Sequence, residues 1–233
     1  FRRLLNIPDN YQILFLQGGA IGENAIIPLN LLGDATQGAN QTIDSVISGA
    51  WSLKTQKEAD RYARAGGGAC NIIANSDDGS GKFLYFPEPD TWQLSDKPNY
   101  VNFCPNETIH GVEWFAPQSV ADDLAARGAF LVADMSSNIL SRPLDVTRYG
   151  VIYGGAQKNI GPAGVTFEIT ICLIVSIRCV HRRSTGAMSP TTTPCSTLRR
   201  RCLFILRVWC LNGWSNKAAW QPWPRSTTPK PNC

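Results

Sequence analysis

Short apolar runs recur through residues 1–166 of this sequence, and glycine, proline, asparagine or aspartate bounds each of them. The runs are YQILFL, CNIIA, NYVNF, GAFLVAD and GVIYGGA. Segments with helical spacing lie between the early runs: ENAIIPLNLL is expected to stop at Gly33, and SLKTQKEADRYARA at Gly66. This alternation predicts an α/β domain with a largely buried, mostly parallel central sheet.

The composition of the chain changes near residue 167. Residues 1–166 hold 12 Lys and Arg against 17 Asp and Glu, with only Cys70 and Cys104. Residues 167–233 hold 10 basic residues against one acid, together with six of the eight cysteines and four of the seven tryptophans. We therefore divide the chain into a patterned domain, 1–166, and an irregular basic tail, 167–233, where neither helical period nor strand alternation persists.

The sequence carries no signal for secretion or for crossing a membrane. FRRLLNIPDNYQ has no apolar core followed by a small-residue cleavage site, and ITICLIVSI (169–177) is too short to span a bilayer. Two scattered cysteines in the patterned domain are typical of a reducing compartment. We expect a cytoplasmic protein that binds neither membrane nor nucleic acid.

Three polar loops follow apolar runs of the patterned domain. QGGAIGEN follows YQILFL, ADMSS follows FLV, and AQKN follows VIYGG. Ligands gather where the carboxyl ends of parallel strands meet, so these loops are expected to build one site. The glycines of QGGAIG could let backbone N–H groups hold a phosphate at the start of a helix.

Two charged residues in these loops have a functional and a simpler interpretation. Lys158 lies at a strand end, where neighbouring groups can favour the neutral amine that a Schiff base requires. The local pattern alone favours a solvated loop lysine. Asp134 follows FLVA and could face the pyridinium nitrogen of pyridoxal phosphate, although an aspartate is equally typical of a strand-to-loop turn.

Longer motifs carry a family resemblance. They are NYQILFLQGGA, CPNETIHGVEW and SSNILSRPLDVTRYGVIYGGAQKNIGPAGVT, and the similarity runs from about Arg2 to Thr166. On these motifs the chain resembles the phosphoserine aminotransferases, enzymes of fold type I that depend on pyridoxal 5'-phosphate. The resemblance implies the large domain of that fold in incomplete form, with a mostly parallel central sheet flanked by helices.

The resemblance also implies the roles of particular residues. It implies Lys158 as the Schiff-base lysine, Asp134 as the partner of the pyridine nitrogen, and no metal ligand. The remaining implied cofactor contacts are Trp51 on the ring face, Thr108 at the ring hydroxyl, and Gln157 with the backbone of Ala20 and Ile21 at the phosphate.

By the same resemblance, glutamate donates its amino group to 3-phosphohydroxypyruvate, giving O-phospho-L-serine and 2-oxoglutarate for serine biosynthesis. Lys158 then serves as general base and acid, and the intact family member is a homodimer. The chain departs from many relatives at Ile21, where they have Arg or Ser, and at Glu23 and Asn24, where they have Gln and Phe. Glu23 near a phosphate would be electrostatically unfavourable.

The tail leaves three interpretations open. The first is zinc binding by its cysteines with His181, although the tail contains no CxxC pair. The second is nucleic-acid binding by the Arg199–Arg201 run, although this run belongs to no recognisable nucleic-acid-binding module. The third interpretation is a frameshift between about Val165 and Cys172. In the shifted frame, each codon consists of the third base of one original codon and the first two bases of the next. That frame permits MFNTPPT over Pro194 to Arg201 and a family-like helix after Gly213.

We favour the frameshift, because the tail also lacks the local consistency of foldable sequences. In that case the family's phosphate-contacting Asn and Thr, and the arginines that hold substrate, are missing from the chain. The chain as written is then expected to fold poorly and to transaminate little or not at all. A catalytically dead fragment, or a metal- or nucleic-acid-binding tail, remains the alternative function.

Overall fold

The computed structural model of this chain describes residues 1–32 and 41–171. The predicted helix stop at Gly33 and the predicted features of residues 172–233 lie outside the described residues. Within those ranges the strands are β1 Tyr11–Leu16, β2 Thr42–Ile47, β3 Ala69–Asn75, β4 Tyr100–Phe103, β5 Asn106–Glu107, β6 Val112–Glu113, β7 Leu131–Asp134, β8 Tyr149–Gly155 and β9 Thr166–Ile171. The helices are α1 Gly19–Leu31, α2 Ala50–Ala65 and α3 Gln118–Ala126, and single 3-10 turns form at Pro89–Thr91 and Val146–Arg148.

Seven strands form one sheet in the order β1-β9-β8-β7-β4-β2-β3. Strands β8, β7, β4, β2 and β3 are parallel neighbours, whereas β9 runs antiparallel to both β8 and β1. Strand β1 therefore points in the same direction as the five parallel strands. The predicted α/β architecture with a mostly parallel sheet is confirmed, and β5 with β6 forms a separate hairpin.

The central strands β4, β7 and β8 are buried on both faces, which explains why their sequences are apolar runs, whereas the edge strands β1 and β3 are partly exposed. All seven residues of β8 are buried, and successive side chains enter different cores. Ile152 packs in the larger core, while Val151 and Tyr153 pack in the smaller core with residues of α1 and α2. The period of two in a strand thus places α1 and α2 against one face of the sheet.

Helix α2 shows how the sequence specifies a packed helix. Its buried residues, Ser52, Thr55, Ala59 and Ala63, recur at intervals of three or four and form one face. The helix ends at Ala65, and Gly66 follows as the sequence predicted. This packing holds the amino end of α2 at the edge of the sheet where β2 ends.

Strand β9 continues the sheet beyond the boundary placed at Thr166 in the sequence. Phe167 and Ile169 are fully buried between the neighbouring strands, so residues up to Ile171 belong to the sheet. The predicted strands at the apolar runs are confirmed, whereas α3 and the β5–β6 hairpin were not anticipated. In the part of the chain that the structure describes, no helix has the length and apolar character needed to cross a membrane.

Candidate active site

The carboxyl edge of the sheet collects every site residue that the sequence predicted. Strands β1, β2, β4, β7 and β8 all end at this edge. The loops and helix starts that follow these strands carry Ala20, Ile21, Trp51, Thr108, Asp134, Gln157 and Lys158. Residues spread over most of the patterned domain therefore lie at one edge, as expected for an α/β ligand site.

Lys158 makes a direct contact with Thr108. Its Nζ donates a 2.8 Å hydrogen bond to Oγ1 of Thr108, and both side chains lie on the surface. A closed turn after β8 holds the lysine, because the N–H groups of Ile160 and Gly161 both bond to the carbonyl of Ala156. The amine is thus both accessible to a ligand and held in place.

Asp134 ends β7 as a buried carboxylate, with only 7% of its surface exposed. Its Oδ1 accepts hydrogen bonds from the N–H (3.0 Å) and the hydroxyl (2.5 Å) of Ser136, whose Oγ accepts the N–H of Gly155. Burial raises the pKa of Asp134, against the Ser136 hydrogen bonds; the charge of Glu107 adds to the rise and that of Lys158 opposes it. A cation at this carboxylate would relieve the cost of burying it.

Trp51 lies in the first turn of α2 and is half-buried. Its backbone N–H donates a 2.9 Å hydrogen bond to Oε2 of Glu107, and that of Ser52 donates a 2.7 Å bond to Oε1. The Nε1 of the indole is buried without a hydrogen-bond partner. The ammonium of Lys54 lies 5.9 Å from the ring centroid, so the ring face already attracts one cation.

The start of α1 is an uncapped helix N-terminus. Gly18 and Gly19 adopt φ values of 120° and 70°, in the region that favours glycine, and this turn leads directly into the helix. No side chain caps the helix at Gly18, so the N–H groups of Ala20 and Ile21 lie in a first turn that lacks its own acceptors. Such an N-terminus suits a phosphate.

The two departures from the family at positions 23 and 24 face the protein interior. Oδ1 of Asn24 accepts hydrogen bonds from the hydroxyls of Tyr153 (2.9 Å) and Thr55 (3.2 Å), which ties α1 to β8 and α2. Glu23 is fully buried, and burial together with Glu168 raises its pKa to about 8. A raised pKa favours the neutral carboxyl, which reduces the repulsion of a nearby phosphate that the sequence predicted.

Gln157 is exposed beside Lys158 and close to the backbone of β8. A side chain at Gly155 would collide with the Oε1 of Gln157, so this amide lies against the end of the strand. The structure gives its position at the edge of the sheet, while its contact with a phosphate stays a prediction.

Three residues of the site were missed at the level of sequence. Glu107 lies next to Thr108 in NETIHG, Ser136 lies in ADMSS, and Asn24 was noted only as a departure from relatives. The motifs that contain them were the available signal. Ser136 contacts a residue 2 positions away, whereas Glu107 and Asn24 contact residues 55 and 129 positions away along the chain. Contacts over the two longer separations leave no local sequence pattern.

Neither a metal cluster nor a cavity elsewhere among the described residues competes with this edge. Among residues 1–32 and 41–171, no three His, Cys, Asp or Glu side chains are grouped to hold a metal ion. A cavity of about 310 Å³ is lined by residues that include Arg142, Arg148 and Tyr149. It lies at the amino end of β8, whereas Lys158 follows the carboxyl end, so it is separate from the candidate site.

Comparison with known proteins agrees with this architecture. The profile of the family described as Aminotransferase class-V matches residues 1–171, which is most of the chain. The chain belongs to the class-V aminotransferase family. This family match, like β9, extends to Ile171.

The class-V aminotransferase chain is 54% identical over 168 residues to the phosphoserine aminotransferase of Janthinobacterium sp. (strain Marseille), covering 72% of this chain and 42% of that protein. The phosphoserine aminotransferase structure from Bacillus circulans subsp. alkalophilus matches with a TM-score of 0.64 and 33% identity, over 91% of this chain and 50% of that one. A phosphoserine aminotransferase from Trichomonas vaginalis, solved with pyridoxal phosphate bound, matches with a TM-score of 0.64 and 29% identity, over 91% and 51%. This class-V aminotransferase chain thus spans less than half the length of the curated relatives it matches.

Proposed function

We propose that this chain is the cofactor-binding part of a phosphoserine transaminase. The reaction would transfer the amino group of L-glutamate to 3-phosphohydroxypyruvate, giving O-phospho-L-serine and 2-oxoglutarate. The observation that carries the proposal is the hydrogen bond between Lys158 and Thr108, at the sheet edge that also holds buried Asp134. The names of the relatives, at identities of about half, support the substrate assignment.

The residues at this edge fit pyridoxal phosphate. The uncapped amides at the start of α1, with Gln157, would take the phosphate, and Asp134 would supply the anion that a protonated ring nitrogen needs. Thr108 would bond the ring oxygen, while Trp51 would lie on the ring face. When bound, this cofactor supplies an aldehyde that bonds covalently to an amine and a ring that stabilises negative charge at the adjacent carbon.

The chain's own groups would handle the protons of the reaction. Lys158 must be neutral at Nζ to act as a nucleophile, and the Thr108 hydroxyl holds that nitrogen in place. Acting as a free amine, Lys158 would take the proton from the α-carbon of the amino acid as general base and would deliver it, as general acid, to the aldehyde-derived carbon of the cofactor. Asp134, buried and held by Ser136, would keep the proton on the ring nitrogen.

Covalent trapping tests the cofactor assignment. The 233-residue chain is incubated with pyridoxal phosphate and reduced with borohydride, and its peptides are mapped by mass spectrometry. We expect Lys158 to be the principal labelled residue, with loss of that label in Lys158→Arg and no change in the control Lys57→Arg, which alters an exposed lysine of α2. A label spread over surface lysines, or one unaffected by Lys158→Arg, would contradict the proposal.

We also propose that the partial large domain, which the sequence placed at residues 1–166 and which β9 continues to Ile171, ends at a frameshift near Val165–Cys172 that produced the tail. The family match to residue 171 and the 168-residue alignment with the curated relative support it. Resequencing of the gene tests it: the corrected frame should encode FNTPPT and give release of 2-oxoglutarate from glutamate. If resequencing finds the same frame, the frameshift proposal is wrong and the tail remains a candidate for metal or nucleic-acid binding. Deleting residues 172–233 tests that alternative, because the deletion should then abolish the binding.

The proposed location and assembly follow from the same assignment. A cytoplasmic setting is supported by Cys70 and Cys104, which are free, buried thiols 34 positions apart in sequence. Cell fractionation with immunoblotting tests it, and recovery in an envelope fraction would contradict it. A homodimer is proposed from the resemblance to the family, and sedimentation equilibrium of the full chain decides between monomer and dimer.

A further inference from the structure

Glu107 is a buried carboxylate that the proposed chemistry does not use. It ends β5 with no exposed surface, and its two oxygens accept the N–H groups of Trp51 and Ser52 at 2.9 and 2.7 Å. These amides belong to the first turn of α2, where a helix lacks internal acceptors and favours negative charge. The free amides of Trp51 and Ser52 are therefore capped by a residue 55 positions away, while the Ser52 hydroxyl accepts the N–H of Gly49 locally.

The space for this carboxylate depends on a glycine. A Cβ at Gly49, just before α2, would lie 2.5 Å from Cγ and Oε2 of Glu107. The backbone of Gly49 is extended, so the absence of a side chain, and not the backbone angle, is what the position requires. Gly49 and Glu107 thus act as a matched pair at the start of α2.

The segment that carries Glu107 also contacts the loop after β7. The hydroxyl of Ser137 donates to both the carbonyl and the side-chain oxygen of Asn106, at 3.0 and 2.9 Å. The next residue after Glu107 is Thr108, which accepts the hydrogen bond of Lys158. One three-residue segment therefore connects the start of α2, the loop after Asp134 and the amine of Lys158.

We propose that Glu107 is a positioning residue that sets the Trp51 ring and the Thr108 hydroxyl relative to Lys158. It holds the backbone of Trp51 directly and that of Thr108 as its chain neighbour. Its carboxylate would not touch the cofactor, so it acts through these two residues. This inference rests on the proposed function, because the geometry matters only if a ring binds between Trp51 and Lys158.

The test compares Glu107→Gln with a matched control in the full 233-residue chain. A glutamine side chain has the same shape but only one acceptor oxygen, so one helix amide loses its partner. The control is Glu113→Gln, in the same hairpin, whose carboxylate pairs with Arg142 at 3.0 Å on the surface. For each variant, far-UV circular dichroism checks folding, and titration with pyridoxal phosphate gives the Kd and the visible circular dichroism of the bound chromophore.

We expect Glu107→Gln to fold, to bind pyridoxal phosphate about tenfold more weakly, and to lose much of the visible circular dichroism, because the ring is no longer held in one orientation. Glu113→Gln should match wild type in both. Gly49→Ala keeps the carboxylate of Glu107 but displaces it, so it should weaken cofactor binding and the visible circular dichroism in the same way. Glu107→Asp keeps a carboxylate and should retain part of the visible circular dichroism that Glu107→Gln loses. These spectroscopic changes would not follow from a cap that only stabilises the helix.

Three outcomes overturn the inference. A folded Glu107→Gln with wild-type Kd and visible circular dichroism does so directly. If Glu107→Gln does not fold, the inference is overturned by a folded Gly49→Ala with a wild-type cofactor spectrum. If neither variant folds, the role of Glu107 is in stability alone. Failure of wild type itself to label at Lys158 instead removes the proposed function, which separates the two failures.

Discussion

The amine of Lys158 donates a 2.8 Å hydrogen bond to the hydroxyl of Thr108, although 50 positions separate the two residues. The bond joins the turn after β8 to the segment that caps α2 through Glu107. The amine and the hydroxyl that it contacts are thus supplied by two different loops at one edge of the sheet. The predictions below depend on that arrangement.

Removing the Thr108 hydroxyl tests the orientation of Lys158. Thr108→Val keeps the shape of the side chain but leaves Nζ without this acceptor, so the Kd for pyridoxal phosphate should rise about fivefold to tenfold. Because the residue is exposed, the melting temperature should stay within about 2 °C. Thr91→Val, which removes a surface hydroxyl bonded to the Glu88 carbonyl, is the control. Equal affinities in both variants would remove Thr108 from the site.

Asp134→Asn should separate stability from cofactor binding. The amide oxygen can still accept from Ser136, and a neutral side chain costs less to bury than this carboxylate, whose pKa burial raises. The chain without cofactor should therefore melt at the same temperature or higher. The Kd for pyridoxal phosphate should rise about tenfold or more, since the ring nitrogen loses its charged partner.

Calorimetry and titration on the same samples check this pair of expectations. Asp123→Asn on α3, an exposed position, is the matched control and should change neither quantity. A destabilised Asp134→Asn with unchanged affinity would make Asp134 a structural residue.

Buried Glu23 predicts an unusual dependence of stability on pH. Burial, followed by the charge of Glu168, raises its pKa from 4.5 to about 8, so the folded chain keeps a proton that the unfolded chain releases. This contribution is complete below the unfolded pKa of 4.5 and is lost as the pH rises towards 8. The free energy of unfolding should fall by up to about 1.4 kcal/mol per pH unit over that range.

Urea denaturation at intervals between pH 5 and pH 8 measures this slope. Glu23→Gln should reduce the slope to the part that comes from Glu168, whose pKa burial raises to about 7, and should stabilise the chain most at the alkaline end, because the buried charge is removed. Exposed Glu88→Gln is the control and should leave the slope as in wild type. A wild-type slope in Glu23→Gln would show that another group holds the proton.

The link between α1 and the sheet should be measurable at Tyr153. Its buried hydroxyl donates a 2.9 Å hydrogen bond to Oδ1 of Asn24, so Tyr153→Phe should lower the free energy of unfolding by about 1 to 2 kcal/mol. Tyr85→Phe removes a hydroxyl from a side chain that is 60% exposed and should have no measurable effect. A Tyr153→Phe chain as stable as wild type would mean that the bond does not hold α1.

Much of the architecture was predictable from local pattern. The runs YQILFL and GVIYGGA became β1 and β8 because apolar and β-branched residues suit strands, and β8 is buried on both faces whereas β1 is only partly buried. Helix α2 followed from its spacing and from the glycine at its end. Two-residue strands such as β5 were not predictable, since so short a segment has no period.

The placement of site residues was partly predictable for the same reason. Parallel strands bring their carboxyl ends to one edge, so loops after β1, β7 and β8 could be grouped before any coordinates were known. The partners within that edge could not be deduced. The cap of α2 by Glu107 and the tie of Asn24 to Tyr153 depend on side chains that meet only after the sheet has formed.

The sequence by itself determined the class of fold, the principal apolar strands with helix α2, and the position of Lys158 after a buried strand, because these depend on neighbouring residues. Only the tertiary structure decided that the lysine meets Thr108, that Glu107 is buried as a helix cap, and that burial raises the pKa of Glu23. Hydrogen bonds and desolvation depend on which groups surround an atom in space, and those groups come from distant parts of the chain.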